Sequence, residues 1–344
     1  MKRIVLITDN AFTYSGREKI CAMMSRIYSK NNEVTVISLK GTGDSFYKFD
    51  AMDFISLQNE KKPFLKIFSI LKKKDYDYVF IVSMGKLSTI FSIFIKYLRT
   101  KTESIFISCE HVSLKSLGMF KRKLKIRALK KYDKVVVLTN EDKKNLKGLN
   151  VNAIKIVNPI YYKSLVKGKF NKKVIAVGRL ESQKNFLELI EIWNTFIKKN
   201  PGWSLDIAGE GEQRDIIQDR IENYKLENSV TLLGKVDNIE YFYKRSDFCV
   251  MTSHYEGLPL SLLEAKAHSL PCVSYDCPTG PSDIINDGID GFLIKLGDKT
   301  SFVEKMNLLS NDQKLFNKFS ENTKFTAKKF EFSAIESLWL KLIH

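Results

Sequence analysis

The chain has 344 residues, of which 44% are hydrophobic, and its formal net charge is +17. This length exceeds one ordinary domain, and the apolar content is sufficient for two hydrophobic cores. The longest apolar segment, residues 87–98, contains Lys96 and is far shorter than the ~20 apolar residues that a membrane-spanning helix needs. We therefore expect two folded domains and no transmembrane helix.

Because no segment is predicted to span a bilayer or to direct secretion, we expect a location at the cytoplasmic face of the membrane. Met1–Arg3 leads directly into an apolar strand, without the cleavage region of a secretory signal peptide. The cysteines are odd in number, scattered and mostly placed in apolar segments, at positions 21, 109, 249, 272 and 277. We expect them to be buried thiols, not disulfides or metal ligands.

Predicted strands alternate with helical stretches through both halves, which predicts an α/β protein with two doubly wound parallel sheets. Residues 2–8 form the first predicted strand, and residues 105–110 form a later one that is followed directly by His111. The pattern is interrupted near residues 157–169 by Asn158-Pro159 and a short polar run. We place the domains at residues 1–165 and 166–324, followed by a final segment at 325–344.

Positive charge is concentrated in the first half. Residues 1–168 contain 33 Lys and Arg against 14 Asp and Glu, a balance of +19, whereas residues 169–344 contain 23 against 25. The densest part, residues 115–134, mixes nine basic residues with aliphatic ones and is typical of a helix that binds an anionic membrane surface; residues 64–74 have the same character. We expect Lys121, Arg122, Lys123 and Lys125 at that surface. The alternative is a Lys-rich surface that reflects composition alone.

A nucleic-acid partner is not expected, although the charge alone would allow one. The basic run carries aliphatic residues more than stacking aromatic ones, and no recognised nucleic-acid-binding motif is present.

In the second half, short apolar strands end in glycine-containing turns. The strand at residues 174–177 ends in Gly178-Arg179-Leu180, and Lys184 follows just before a helix. Two cations beside a strand-to-helix turn are a natural seat for a diphosphate. The next strands end in similar turns, at residues 209–211, 234–236 and 276–281. Because ligands bind at the carboxyl ends of strands in an open parallel sheet, we expect a binding site there.

Two glutamates, Glu256 and Glu264, lie eight positions apart in a segment that reads as strand, tight turn and helix. Eight positions are a little over two helical turns, so both carboxylates are expected to face one ligand at two points. The N–H groups at the helix start can meet an anion, and Gly257 lets the main chain approach closely. The alternative is two solvated glutamates on a surface helix.

The order of these motifs resembles the carboxyl-terminal half of a family 4 retaining glycosyltransferase of the GT-B fold. The similar segments, in chain order, are GRL with KN, AGEG, LGKV, EGLPLSLLEA, CPTGPSDII and DGIDGFLI. The first half agrees more loosely: residues 14–18 resemble the family's Gly-Gly loop with only Gly16 retained, and the strand before His111 resembles one that ends in an active-site histidine. The resemblance implies two Rossmann-like domains facing a central cleft, with the final segment crossing back to the first domain.

The resemblance also implies the reaction, in which a hexose or N-acetylhexosamine moves from a nucleotide diphosphate sugar to a hydroxyl with retention of configuration. The expected donor is UDP-linked. Arg179 and Lys184 would neutralise the leaving diphosphate, and the Gly16 N–H would be a further phosphate donor. Glu256 would hold the sugar hydroxyls near the developing positive charge. His111 would orient the sugar from the other domain, unless it is a satisfied core residue.

The remaining family positions concern the nucleotide. Glu264 would bind the ribose hydroxyls, and Val236 would contact the base through its backbone. Gly178, Gly257 and Leu258 are expected to belong to the same nucleotide-sugar site. No cofactor is expected beyond this co-substrate.

No metal is expected either. Asp75 and Asp77 match the Asp-any-Asp motif of a different glycosyltransferase fold, but they precede a predicted strand instead of following one. The four histidines have no paired spacing for zinc.

Residues 277–285 are similar to segments of enzymes that build bacterial surface glycans such as lipopolysaccharide, capsule or O-antigen. That likeness implies a lipid-linked saccharide acceptor, met by the basic first domain, and a peripheral location at the inner face of the cell membrane. Two alternatives stay open: a noncatalytic GT-B assembly partner, because the loop at Gly16 is altered, and a sugar-nucleotide epimerase, which shares the two-domain fold but is not expected to show the paired glutamates.

Overall fold

A computed structural model describes residues 1–13, 16–83, 85–111, 114, 117–160 and 170–344. These residues form two compact units: the first consists of Met1–Asn158 and Ile335–His344, and the second of Pro159–Ala334. The expected domain boundary at residues 165 and 166 lies outside the described residues.

The first unit contains a sheet in which, within the described residues, seven strands are all parallel. Its elements are β1 (Arg3–Asn10), α1 (Gly16–Ser29), β2 (Glu33–Lys40), β3 (Asp53–Ser56), α2 (Pro63–Lys73), β4 (Tyr78–Ser83), α3 (Lys86–Leu98), β5 (Ile105–Glu110), α4 (Met119–Leu129), β6 (Lys134–Val137), α5 (Asn140–Lys147) and β7 (Ala153–Lys155). The strand order is β3-β2-β1-β4-β5-β6-β7. Helices cover both faces of such a sheet, which explains why β4 is buried along its whole length.

The second unit repeats this architecture with six parallel strands among its described residues. Its elements are β8 (Lys173–Val177), α6 (Phe186–Lys199), β9 (Ser204–Ala208), α7 (Arg214–Asn223), β10 (Val230–Gly234), α8 (Ile239–Arg245), β11 (Phe248–Met251), α9 (Leu260–Ala267), β12 (Cys272–Tyr275), α10 (Pro281–Ile284), β13 (Gly291–Ile294), α11 (Lys299–Asn311) and α12 (Gln313–Ala327). The strand order is β10-β9-β8-β11-β12-β13. The prediction of two doubly wound parallel sheets is confirmed.

Strand order reverses once in each sheet, between β1 and β4 and between β8 and β11. In doubly wound sheets the crevice for a ligand lies outside the carboxyl ends of the strands at this reversal. The second reversal is the one that positions the candidate site, because Val174 of β8 lies opposite Phe248 of β11.

The final helix, α13 (Phe332–Leu342), carries the chain into the first unit. Trp339 is only 2% exposed and packs its ring against Phe80 of β4. Tyr28 donates to the carbonyl of Trp339 at 3.1 Å, and Tyr78 donates to the carbonyl of Ile343 at 2.7 Å. The residues after Ala334 therefore complete the first core.

All five cysteines are free and buried, as expected. Among the helices in the described part of the chain, none combines the length and apolar character that crossing a bilayer requires.

Candidate active site

The carboxyl ends of β8 and β11 bring Lys184 and Glu256 together. Lys184 ends a short 3-10 turn between β8 and α6, and Glu256 lies in the turn between β11 and α9. The Lys184 Nζ is 2.6 Å from the Glu256 Oε1, and the two side chains are only 16% and 7% exposed. Two of the predicted catalytic residues thus form a largely buried ion pair.

Backbone contacts between the same two turns fix this pair. Thr252 follows β11, and its hydroxyl lies within hydrogen-bond distance of the carbonyl oxygens of Lys184 and Asn185, at 3.2 and 3.1 Å. The His254 N–H donates to the carbonyl of Gln183 at 2.9 Å. Hydrogen bonds from the turn after β11 to the carbonyl oxygens of residues 183–185 therefore fix the backbone of Lys184.

Arg179 lies on the turn after β8 but does not join the ion pair. Its side chain is 69% exposed, and its Nη1 is 2.6 Å from the Glu181 Oε1. A Cβ on Gly178 would lie 3.0 Å from the Cε of Lys184, so the lysine side chain runs directly over this glycine. The turn therefore holds one shielded cation and one solvent-exposed cation.

Glycines pack the turns after β8, β9 and β10 against one another. Gly209 has a φ of +146°, and a Cβ there would lie 1.9 Å from the carbonyl oxygen of Gly178. The Gly178 N–H donates to Ala208 at 3.0 Å, and the Gly209 N–H donates to Gly234 at 2.9 Å. Val236 follows two residues after Gly234 and is half-buried. Gly178 and Val236 thus lie along one edge of the sheet.

The turn after β12 supports the segment that contains Glu256. The Thr279 hydroxyl donates to the backbone carbonyl of Glu256. Gly280 has a φ of +101°, and a Cβ there would lie 2.5 Å from the carbonyl oxygen of Gly257. Burial, assisted by the nearby charge of Glu256, raises the pKa of the Cys277 thiol to about 12. This thiol is therefore a neutral neighbour of the carboxylate at physiological pH.

Glu264 lies one turn inside α9 and is held by a buried tyrosine. The Tyr243 hydroxyl is 3.1 Å from the Glu264 Oε2, and the Tyr243 ring stacks on His268 at 5.3 Å. Burial raises the pKa of Tyr243 well above its ordinary value, so the hydroxyl keeps its proton and donates to the carboxylate. Pro259 precedes the helix without a side-chain cap, and the side chain of Leu258 is buried.

In the first unit, β5 ends in a buried polar cluster next to His111. Glu110 is the last residue of β5, and its Oε2 is 2.8 Å from the Nζ of Lys125, with both side chains 3% exposed. Ser88 and Ser108 also donate to Glu110, at 2.7 and 2.5 Å. The His111 N–H donates to the backbone carbonyl at the end of β4 at 3.3 Å. The cluster fixes the strand end that directly precedes His111.

Gly16 is the first residue of α1, after the carboxyl end of β1. Tyr14 and Ser15 of the predicted phosphate loop lie outside the described residues.

The expectation that Lys125 faces a membrane is wrong. Its ammonium group is buried and contacts Glu110, Ser88 and the carbonyl of Gly85. Burying an ammonium group without partners would be costly, and these three partners offset that cost. Lys125 therefore belongs to the interior of the unit and not to its surface.

The Asp75–Asp77 segment precedes β4 and lies at the amino end of its sheet. The Asp77 carboxylate accepts the Arg3 N–H at 2.7 Å, a contact that ties two strands together. A cavity of about 770 Å³ lies beside this segment and is lined by both signs of charge, including Lys2 and Glu103. Within the described residues, no group of three or more His, Cys, Asp or Glu side chains is placed to hold a metal ion.

The sequence pattern did not reveal Tyr243 or Thr279 as site residues. Tyr243 lies in the aromatic run of α8, where a polar role cannot be distinguished from core packing. The one available signal for Thr279 was a hydroxyl inside a Gly- and Pro-rich turn.

Comparison with known proteins gives one family match and several full-length relatives. Residues 159–325 match the family described as Glycosyl transferases group 1. The chain is 32% identical over 335 residues to the amylovoran biosynthesis glycosyltransferase AmsD of Erwinia amylovora, covering 93% of each chain. It is 30% identical to the UDP-Gal:alpha-D-GlcNAc-diphosphoundecaprenol alpha-1,3-galactosyltransferase of Escherichia coli, covering 78% of this chain and 75% of the relative.

Among solved structures, Anabaena Alr3699/HepE in complex with UDP superimposes with a TM-score of 0.81 at 15% identity, covering 100% of this chain and 99% of that one. At this identity the likeness concerns the fold alone, and it confirms the predicted GT-B class.

Proposed function

The chain belongs to the group 1 glycosyl transferases, and from that premise we propose that it is a retaining enzyme of family 4 that uses a UDP-linked hexose or N-acetylhexosamine. The observation that carries the proposal is the ion pair between Lys184 and Glu256 at the carboxyl ends of β8 and β11. The AmsD relative is named for amylovoran biosynthesis, and the donor named for the E. coli relative is UDP-Gal.

The difficult event in this reaction is departure of a diphosphate while positive charge develops on the sugar. Lys184 is shielded and pre-positioned, so its charge would be worth more to the leaving group than that of a fully solvated lysine. Arg179 would add a second cation from the same turn. A bound diphosphate would take over as the counter-ion of Lys184, which would free the Glu256 carboxylate for the sugar hydroxyls.

We propose front-face attack. The acceptor oxygen bonds to the anomeric carbon on the face from which the diphosphate leaves, the bond from that carbon to the phosphate oxygen breaks, and the acceptor proton passes to the departing oxygen. This order of bond changes retains the anomeric configuration without a nucleophilic carboxylate. Protein cations would neutralise the leaving diphosphate in place of a metal ion.

The other site residues would bind the rest of the donor. Glu264, oriented by Tyr243, would accept hydrogen bonds from the ribose hydroxyls, and the Val236 backbone would contact the base. The turns at Gly178, Gly257 and Leu258 would line the sugar and phosphate groups. By the family resemblance, Gly16 would donate to a phosphate and His111 would orient the sugar.

The proposed acceptor is a lipid-linked saccharide in the synthesis of a bacterial surface glycan, with the enzyme peripheral at the cytoplasmic face of an anionic membrane. The E. coli relative is named for a diphosphoundecaprenol acceptor, which supports this choice. The charge excess of the first half supports the membrane partner.

A turnover screen tests the proposal. UDP-, GDP- and ADP-sugars are offered with undecaprenyl diphosphate saccharides, and the anomeric configuration of the product is read by NMR. We expect transfer from a UDP-sugar with retention, and strong loss of turnover for Glu256→Gln. The control is Glu240→Gln, which changes a glutamate paired with Lys244 on α8 and should not lower turnover strongly. Binding without turnover would favour a noncatalytic partner, interconversion of the donor sugar would favour an epimerase, and an inverted product would overturn the retaining mechanism.

A further inference from the structure

Helix α3 carries large apolar residues on its outer side as well as on its inner side. Its inner residues, such as Phe91 and Ile95, are buried against the sheet. The opposite stripe consists of Ile90, Ile93 and Tyr97, which are 42%, 64% and 50% exposed. The spacing of these three residues places them on one helical face, so together they form an apolar stripe open to the surroundings.

Helices α2 and α4 both contact α3. Phe94 of α3 packs against Phe64 and Phe68 of α2, with ring centroids 5.8 and 4.7 Å apart. From α4, the Lys125 Nζ donates to the carbonyl of Gly85 at 2.8 Å, just before α3 begins. The three helices therefore form one layer, and the buried lysine anchors α4 in it. Helix α4 also carries exposed apolar residues, namely Met119, Phe120 and Leu124.

The charge of this layer has a single sign. Helices α2, α3 and α4 contain three, two and five Lys and Arg residues respectively and no Asp or Glu. Of these ten basic residues, Lys125 alone is buried. Exposed lysines thus surround an exposed apolar stripe. Lysine stems cover apolar surface while their ammonium groups reach outward, an arrangement that suits a boundary between hydrocarbon and anionic headgroups.

We propose that α2, α3 and α4 form a lipid-docking face, on which Ile90, Ile93 and Tyr97 enter the boundary between headgroups and acyl chains of an anionic bilayer. The choice of occupant follows from charge, because a second copy of this face would oppose basic residues to basic residues, whereas lipid phosphates neutralise them. The inference rests on the proposed function in that a lipid-linked acceptor requires the enzyme at a membrane. It assigns apolar insertion chiefly to the stripe on α3, with the exposed apolar residues of α4 beside it, while the exposed basic residues of all three helices supply charge.

Vesicle flotation tests this face. The intact chain is mixed with vesicles of phosphatidylglycerol and phosphatidylcholine, or of phosphatidylcholine alone, at low and high salt. Two triple variants are compared with wild type: Ile90→Ser, Ile93→Ser, Tyr97→Ser for the stripe, and Lys121→Ser, Arg122→Ser, Lys123→Ser for the charge. Matched controls on the second unit are Ile216→Ser, Leu308→Ser, Phe325→Ser and Lys314→Ser, Lys318→Ser, Lys324→Ser.

We expect the charge variant to bind anionic vesicles roughly a hundredfold more weakly, at about fivefold per residue. The stripe variant should bind more than about tenfold more weakly and, unlike wild type, should be released completely at high salt, where charges are screened within ~3 Å. The controls should bind as wild type does. Retention of the stripe variant equal to wild type would overturn the proposal. So would sedimentation that shows a dimer broken by the stripe substitutions without change in vesicle binding.

Transfer to a short water-soluble saccharide acceptor is measured for the same variants, so that the two proposals can fail separately. If no donor is turned over but the flotation pattern holds, the docking face stands and the proposed function falls. If transfer proceeds but the stripe substitutions have no effect on flotation, the proposed function stands and the docking face falls.

Discussion

The ammonium group of Lys184 lies 2.6 Å from the carboxylate of Glu256, although 72 positions separate the two residues in the chain. Both side chains are largely buried, whereas Arg179, on the same turn as Lys184, is mostly exposed. The two predicted diphosphate ligands should therefore respond differently to mutation in stability, even if they act alike in catalysis.

Lys184→Ala and Arg179→Ala should each lower turnover by on the order of a hundredfold, because preorganised charge acts on the leaving group. Only Lys184→Ala should lower the free energy of unfolding substantially, by about 3 kcal/mol, since it leaves a nearly buried carboxylate without its cation. Arg179→Ala should stay within about 0.5 kcal/mol of wild type. Urea denaturation and initial rates measure the two effects. A double variant, Lys184→Met with Glu256→Gln, should regain stability but not turnover; equal stability of both single variants would contradict the assignment.

Tyr243→Phe should raise the KM for the donor by roughly tenfold with little change in kcat, because Tyr243 orients Glu264 and the ribose is remote from the reacting bond. Steady-state kinetics with varied donor measure this split. Tyr275→Phe is the matched control, since that buried tyrosine also donates to a glutamate, Glu188, outside the candidate site. The same KM shift in both variants would indicate a general packing defect.

Lys125→Met should lower the free energy of unfolding by roughly 3 to 5 kcal/mol, because Glu110 would remain buried as an unpaired charge. Lys123→Met, on the exposed side of the same helix, should change it by less than about 0.5 kcal/mol. Denaturant titration gives both values. Adding Glu110→Gln to Lys125→Met should recover much of the loss, and failure to recover would point to packing of the lysine stem instead of charge.

Stability should fall above about pH 9 in part because of Cys277. Its pKa is raised from 9.0 to about 12 by burial, so above pH 9 the unfolded chain releases a proton that the folded chain keeps. Fewer protons bound in the unfolded state mean that unfolding becomes easier as pH rises, up to the folded pKa. The penalty at pH 10 is about 1.4 kcal/mol. The stability difference between wild type and Cys277→Ala should therefore shift by that amount in favour of the variant between pH 8 and pH 10; the same difference at both pH values would refute the prediction.

Transfer activity should survive excess EDTA, and added manganese should not increase it, because Lys184 and Arg179 would supply the cations. Asp75→Ala should leave turnover within about twofold. Asp77→Ala should affect stability more than turnover, since Asp77 bonds the backbone of Arg3. Loss of activity in EDTA with recovery in manganese would restore the Asp75 to Asp77 segment as a metal site.

The sheets were predictable because their strands are short Val- and Ile-rich runs, marked in the second half by glycine turns, and a parallel sheet covered on both faces requires such apolar runs. The same pattern correctly placed His111 directly after β5. It could not reveal that Lys184 pairs with Glu256, because that contact depends on the order of strands and on side-chain conformations far apart in sequence. Lys125 was misplaced for a similar reason. Helix α4 has basic residues on all sides, and the one that is buried is determined by its ion pair with Glu110 at the end of β5.

The return of the chain after Ala334 determines which unit can fold first. The second unit is a continuous segment, Pro159–Ala334, so every residue of its core has been synthesised before the last helix emerges. The first unit must wait for Trp339, whose buried ring and backbone carbonyl contact residues made some three hundred positions earlier. During synthesis the amino-terminal unit is therefore the later one to be completed, and until then the surface that receives Trp339 stays uncovered. A chain truncated just after Ala334 should expose this surface and resist proteolysis only in its second unit.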